Sequence, residues 1–207
     1  MRRNCLVCMV FMLACPSFGS AQWALERSAA QALGAASPTT SIGGARGEFL
    51  DEVAAYEQKF VRLAEAMPAE KYSWRPGEGV RSVGEIYAHV AAGNYGIARS
   101  LGMPSPAGVD PKVILAASTD KAKLASALKD SFLHLRQAIR ALGEGDADKP
   151  QNMFGHQTTQ RGAFMIISGH LGEHLGQSIA YARMNNVVPP WTAEMQHAKP
   201  PDKPNPN

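Results

Sequence analysis

The sequence lacks several features that would place it in familiar functional classes. Its three cysteines, Cys5, Cys8 and Cys15, are confined to the N-terminal end. The rest of the chain therefore has neither a disulfide framework nor a thiol nucleophile. It has no Lys/Arg stripe: without Arg2 and Arg3 the 21 basic residues become 19, set against 18 acidic ones. A nearly neutral chain of this kind excludes nucleic acid as an expected partner. No alternating apolar and polar run argues for a sheet. The apolar run from Cys5 to Cys15 is too short to cross a bilayer, so no stable transmembrane anchor is expected. With 207 residues, 45% of them hydrophobic, the chain can bury one substantial core but not two.

The opening "MRRNCLVCMVFMLACPSFGSAQ" sets Arg2 and Arg3 before that apolar run and small residues after it, the layout of a secretory signal peptide. Residues 1–21 are expected to be removed by cleavage before Gln22, giving an exported product, periplasmic or extracellular. Cys15 after "MLA" offers lipid anchoring as the lesser alternative, for which Met12 and Leu13 make a poor signal.

Residues 22–47 read as an N-terminal helix, around 24–33, followed by the flexible linker "GAASPTTSIGGARG". A first core helix starts near Glu48, with Phe49, Val53, Tyr56, Phe60, Leu63 and Met67 along one face. The breakers Pro68, Pro76, Gly77 and Gly79 end it, and "SVGE" starts the next helix with Ser82 and Glu85 as a capping box. Asp110 and Pro111 can start a short helix. A third long helix covers about 120–142, and a fourth runs from Thr158 or Thr159 to about Asn186, where Pro189 and Pro190 stop it. The expectation is an all-α, antiparallel four-helix bundle over residues 48–191, with a mobile polar tail at 192–207. Gly169, Gly172 and Gly176 share a narrow face of the fourth helix and suggest close approach of another helix.

Within "ISGHLGEHLGQSIAYARMNN", His170, Glu173 and His174 spell the inverted zinc-hydrolase motif H-x-x-E-H. His170 and His174 are four residues apart and project to one side of a helix, together with Ala163, Ile166, Ile167, Gln177 and Tyr181. Taken alone, the pair is read either as metal ligands or as hydrogen-bonded core imidazoles. His89 shares an inward face with Ile86, Gly93 and Ile97 and is the best third member. Three nitrogens and a water make a sensible site for zinc, with nickel and iron as alternatives. Glu173 turns about 100° away from His174 and is read as a surface residue. Glu194, the next acid available to an inverted-motif hydrolase, lies beyond the double proline, and the chain lacks the α/β scaffold. His134 is read as a surface or helix-packing residue, His156 as a loop residue near a cavity mouth, and His197 as part of the polar end. Gln177 and Tyr181 are candidates to orient a ligand or support the site, and Trp74 and Tyr95 are candidate pocket walls.

The segments "WRPGEGVRSVGEIYAHV" and "GHLGEHLGQSIAYARMNNVVPP" resemble the DinB/YfiT-like bundle family, with the resemblance spanning about residues 48–191. It implies one divalent metal ion, held by His89, His170 and His174. Some relatives are thiol-dependent transferases and others look like hydrolases. The expected function is therefore that of an exported metal-binding protein, a metal-dependent hydrolase or transferase acting on an unidentified small molecule. A non-enzymatic metal-dependent sensor or binding protein, and a metal-free structural bundle, are the alternatives; a homodimer is compatible with each. The sequence departs from the family at Glu173, where another polar residue or histidine is common, and in "HLGQ", which replaces "HRGQ". Both departures bear on substrate or oligomer contacts more than on the three histidines.

Overall fold

The computed structural model describes residues 43–143, 145 and 147–198. The expected signal peptide, the helix expected around 24–33 and the chain beyond residue 198 lie outside the described residues. Four long helices dominate: α1 (Gly44–Ala66), α2 (Val83–Ser100), α4 (Lys121–Ala141) and α5 (Gln160–Met184). A 3-10 turn (Ala69–Lys71) follows α1, and the short helix α3 (Pro111–Ala116) lies between α2 and α4. Strands β1 (Pro150–Met153) and β2 (His156–Thr159) precede α5, and α6 (Pro190–Ala198) follows it. Helix α4 packs against α1 and α2, and α5 packs against the same two.

Each long helix joins the core through its sequence stripe. Phe49, Val53, Phe60, Leu63 and Met67 are buried, as are Leu124, Leu128, Phe132, Leu135 and Ile139 of α4. Phe60 meets Phe132 at a ring separation of 5.8 Å, and Phe49 stacks on Phe164 at 4.2 Å. Truncating either fully buried ring, Phe60 or Phe132, to alanine removes about 3–5 kcal/mol of packing and leaves a cavity. Asp110, Asp120 and Thr159 cap α3, α4 and α5 through side-chain oxygens, which fixes where these helices begin.

Four expectations are corrected. The all-α bundle holds, but it carries one strand pair that the sequence did not show: β1 and β2 pair antiparallel, with Met153 opposite His156. Arms of four mostly polar residues, PQNM and HQTT, carry no apolar alternation to reveal them. The hairpin is identified by its loop, where Phe154 (φ +55°) and Gly155 (φ +88°) both occupy the left-handed region, as a two-residue type I′ turn requires. Helix α1 begins at Gly44, inside the expected linker. The polar tail expected from residue 192 is helical as far as Ala198, because Pro190 opens α6 after stopping α5.

The fourth correction concerns glycine. A Cβ on Gly169 or Gly176 would meet nothing within 4 Å, and one on Gly172 would meet only the Tyr56 hydroxyl. Gly169 and Gly176 thus meet no neighbouring helix among the described residues, and Gly172 meets α1 only through the Tyr56 side chain, not by backbone approach. Close backbone approach occurs instead at Gly84 of α2, where a Cβ would sit 1.6 Å from the Ser118 carbonyl oxygen. Gly84→Ala should cost about 2–3 kcal/mol in urea denaturation, because backbone must move. Gly176→Ala should gain about 0.5–1 kcal/mol, because an open helical position gains rigidity. Equal effects at the two positions would contradict this assignment.

Candidate metal centre

The site is built from the segment that feeds α2. Tyr72 donates its hydroxyl to the Ala64 carbonyl, which ties the segment to the end of α1. The carbonyls of Trp74 and Tyr72 then accept from the Val83 and Gly84 N–H groups, first-turn donors that would otherwise be orphans. The capping box is present: the Ser82 hydroxyl accepts from Glu85 N–H, and the Glu85 carboxylate accepts from Ser82 N–H. Arg75 holds both the Glu85 carboxylate and the Val80 carbonyl at 3.1 Å. The Ser82 N–H, more than any other group, keeps the Glu85 carboxyl below the usual carboxylate range. These contacts set the rotation of α2, and His89 emerges nearly two turns later.

Helix α5 supplies the other two imidazoles. Its first N–H groups are taken up by the Lys149 and Ala147 carbonyls and by the Thr159 hydroxyl, so the helix starts in fixed phase. His170 and His174 then face His89. Ring centroids lie 5.3 Å apart for His89 and His170, and 4.7 Å apart for each of the other two pairs. One nitrogen from each ring lies within 4.8 Å of the other two. Gly93 makes the space: a Cβ there would stand 3.3 Å from His170 Nε2.

Three nitrogens about 2.1 Å from a common ion lie no more than about 4.2 Å apart, so small torsional shifts would close the observed span. The donor set also fits a divalent ion chemically. His174 Nδ1 lies 3.2 Å from Gln177 Oε1, and Gln177 donates to the Tyr181 hydroxyl at 3.1 Å. An Nδ1–H donor to Gln177 leaves Nε2 of His174 with its lone pair free, the tautomer a ligand needs. Trp74 sets its ring edge-on to Tyr181 at 5.4 Å, which supports this relay from behind.

All three rings are half-buried. Desolvation, followed by the charges of Arg81, His174 and His170, pulls His89 from 6.5 down to about 4. His170 is lowered by desolvation and by His174, partly offset by the negative charge of Glu173. Neutral imidazoles at neutral pH are free to bind metal.

Two cavities open beside the cluster. An apolar one of about 350 Å³ is lined by His89 and His170 together with Ile97, Met153, Phe154 and Ile166. An open one of about 430 Å³ lies between His89, Arg75, Arg81 and Leu115. Sequence reasoning missed the hairpin residues Met153 and Phe154, and it also missed Arg81. The Phe-Gly turn was the available signal for the hairpin; Arg81, immediately before the α2 cap, had none.

The remaining candidates fall elsewhere. Glu173 is exposed and outside the cluster. His134 is buried against Tyr95 at a ring separation of 5.3 Å, a helix-packing position, so Tyr95 does not wall the site. His156 opens β2 and His197 lies on α6, both exposed.

Four packed helices with three converging imidazoles and an open approach define a helix-bundle protein with a candidate metal centre. The DinB superfamily profile matches residues 53–178, and the chain belongs to that superfamily. A solved DinB-like protein from Bacillus cereus ATCC 10987 is similar in fold, with a TM-score of 0.60 at 16% identity, over 70% of this chain and 95% of that one. The DinB-like protein YjoA from Bacillus subtilis aligns with a TM-score of 0.46 at 18% identity, over 74% of this chain and 96% of that one. Comparison with curated proteins finds no match.

The depressed pKa of His89 makes folding sensitive to acid. The unfolded chain binds a proton near pH 6.5 and the folded chain only near 4, so stability is full above 6.5 and falls as pH drops through that window. Metal-free protein should show this decline in denaturation midpoints between pH 7 and 4.5. His89→Asn, which cannot take the proton, should flatten it; an unchanged acid slope would refute the assignment.

Proposed function

We propose that this DinB-superfamily protein binds one divalent metal ion through His89, His170 and His174, and acts on a small molecule as a metal-dependent hydrolase or transferase. The observation that carries the reading is the convergence of three half-buried imidazole nitrogens within 4.8 Å, with cavities alongside. Structural zinc sites are closed by a fourth protein ligand, whereas catalytic ones leave a position open. Among the described residues, no fourth His, Cys, Asp or Glu joins this cluster. Zinc suits three imidazoles best, with nickel and iron next.

A divalent ion bound here supplies Lewis acidity and makes water nucleophilic near neutral pH. Gln177 holds His174 in its ligating tautomer, and Tyr181 holds Gln177. Apolar side chains line one side of the centre, and the other is left to polar substrate groups. Removing Gln177 as a hydrogen-bond partner, in Gln177→Leu, should weaken metal affinity about 10- to 100-fold while leaving the fold intact.

Export is part of the proposal and rests on the N-terminal sequence pattern. Among the described residues, no helix is long and apolar enough to cross a membrane. Cell fractionation with N-terminal sequencing should find a mature chain beginning at Gln22 outside the cytoplasm. Full-length chain retained inside would remove this part of the reading.

Elemental analysis of untagged protein tests the centre itself. About one divalent ion per chain is expected, with occupancy collapsing in His89→Ala, His170→Ala and His174→Ala alike. Unchanged occupancy in the three variants would sink the site.

A further inference from the structure

The two cavities beside the histidines differ in character, and His89 lines both. On one side stand Ile97, Met153, Phe154 and Ile166, with His89 and His170 the only polar side chains of the lining. On the other stand the exposed Arg81 and the Arg75–Glu85 ion pair, whose charges offset each other and leave Arg81 as the net positive group. Its neighbour Arg75 is committed to Glu85 and Val80, whereas Arg81 has no ion-pair or hydrogen-bond partner among the described residues. The field of Arg81 reaches both His89 and His170. Three imidazoles contribute no negative charge to balance a bound cation, and the exposed Glu173 stands outside the cluster. The centre thus favours an anion on one flank and apolar surface on the other.

Phe154 reinforces the apolar flank. It is held at φ +55°, a conformation that costs a bulky residue about 1 kcal/mol or more and that asparagine or glycine would adopt more readily. Its ring nevertheless lies over Gly96 of α2 and remains 66% exposed, so burial of its own surface does not account for it.

We infer that the ligand of this site is a small amphiphilic anion, with its acidic head between Arg81 and the three histidines and its apolar tail in the cavity walled by Phe154. This assignment rests on the metal-centre reading and names the substrate class for it. A volume of about 350 Å³ is at the lower end of small-molecule pockets and suits a short acyl chain or one aromatic ring.

Straight-chain carboxylates from acetate to octanoate are suitable probes, titrated calorimetrically into zinc-loaded, untagged chain of verified metal content. Affinity should rise about two- to fourfold per added methylene. Hexyltrimethylammonium, with the charge reversed, should bind at least tenfold more weakly than heptanoate. Phe154→Gly, which the turn accommodates, should flatten the length dependence. Arg81→Gln should lower octanoate affinity about three- to fivefold without lowering metal content, an opposition that general loss of structure would not produce. Length-independent binding, or equal binding of the ammonium ion, would overturn the assignment even where metal is retained. Chain that retains no metal yet keeps the length dependence would support the cavity assignment while removing the metal-centre reading.

Discussion

The arrangement depends on holding three imidazoles together in a half-buried, largely apolar space. An imidazole removed from water must be neutral, hydrogen-bonded or bound to a cation. Here the rings crowd one another edge to face, and the positive charge of Arg81 adds to the pressure against protonation. The surrounding fold provides the control this needs: a cap that fixes the rotation of α2, a glycine that admits His170, and a glutamine that selects the proton position on His174. Remove any of these and the rings would still be present, but without a common focus.

The same logic accounts for the segment between α1 and α2. Its Tyr-Ser-Trp-Arg run looks like a loop in sequence, yet Tyr72, Trp74 and Arg75 each hold part of the scaffold. Backbone carbonyls of Tyr72 and Trp74 occupy the first donors of α2, Arg75 closes over the cap, and the Trp74 ring supports the far end of the hydrogen-bond relay to His174. One short stretch therefore orients candidate ligands on two different helices.

The helices were legible because their signals are local. Stripes of four- and three-residue spacing, Ser82 with Glu85, and Asp110 before Pro111 each act within a turn or two. His89 was legible as the best third member beside His170 and His174 because helical phase places each on an inward face, and the family resemblance pointed to the same three residues. What stayed hidden was too short to be periodic or carried no periodic signal: a hairpin with four-residue arms, and Arg81, which precedes the α2 cap and lines a cavity with His89. The glycines of α5 misled because a small residue marks close packing only where a neighbour approaches, and the neighbour approached Gly84. Likewise His134 carries the same functional group as the three but points to Tyr95 in the seam between α2 and α4.

The direct backbone continuity between the hairpin and α5 has a consequence for how the chain can diverge. Lys149 and Ala147 bond the first amides of α5, so strand, cap and helix share one register. An inserted or deleted residue between Thr159 and His170 would swing both imidazoles about 100° around the helix axis. Length variation is tolerable in the connection from Gly102 to Val109, which carries no such phase information to the histidines of α5. Relatives that keep this centre should therefore show fixed spacing on one side of the bundle and freely changing loop lengths on the other.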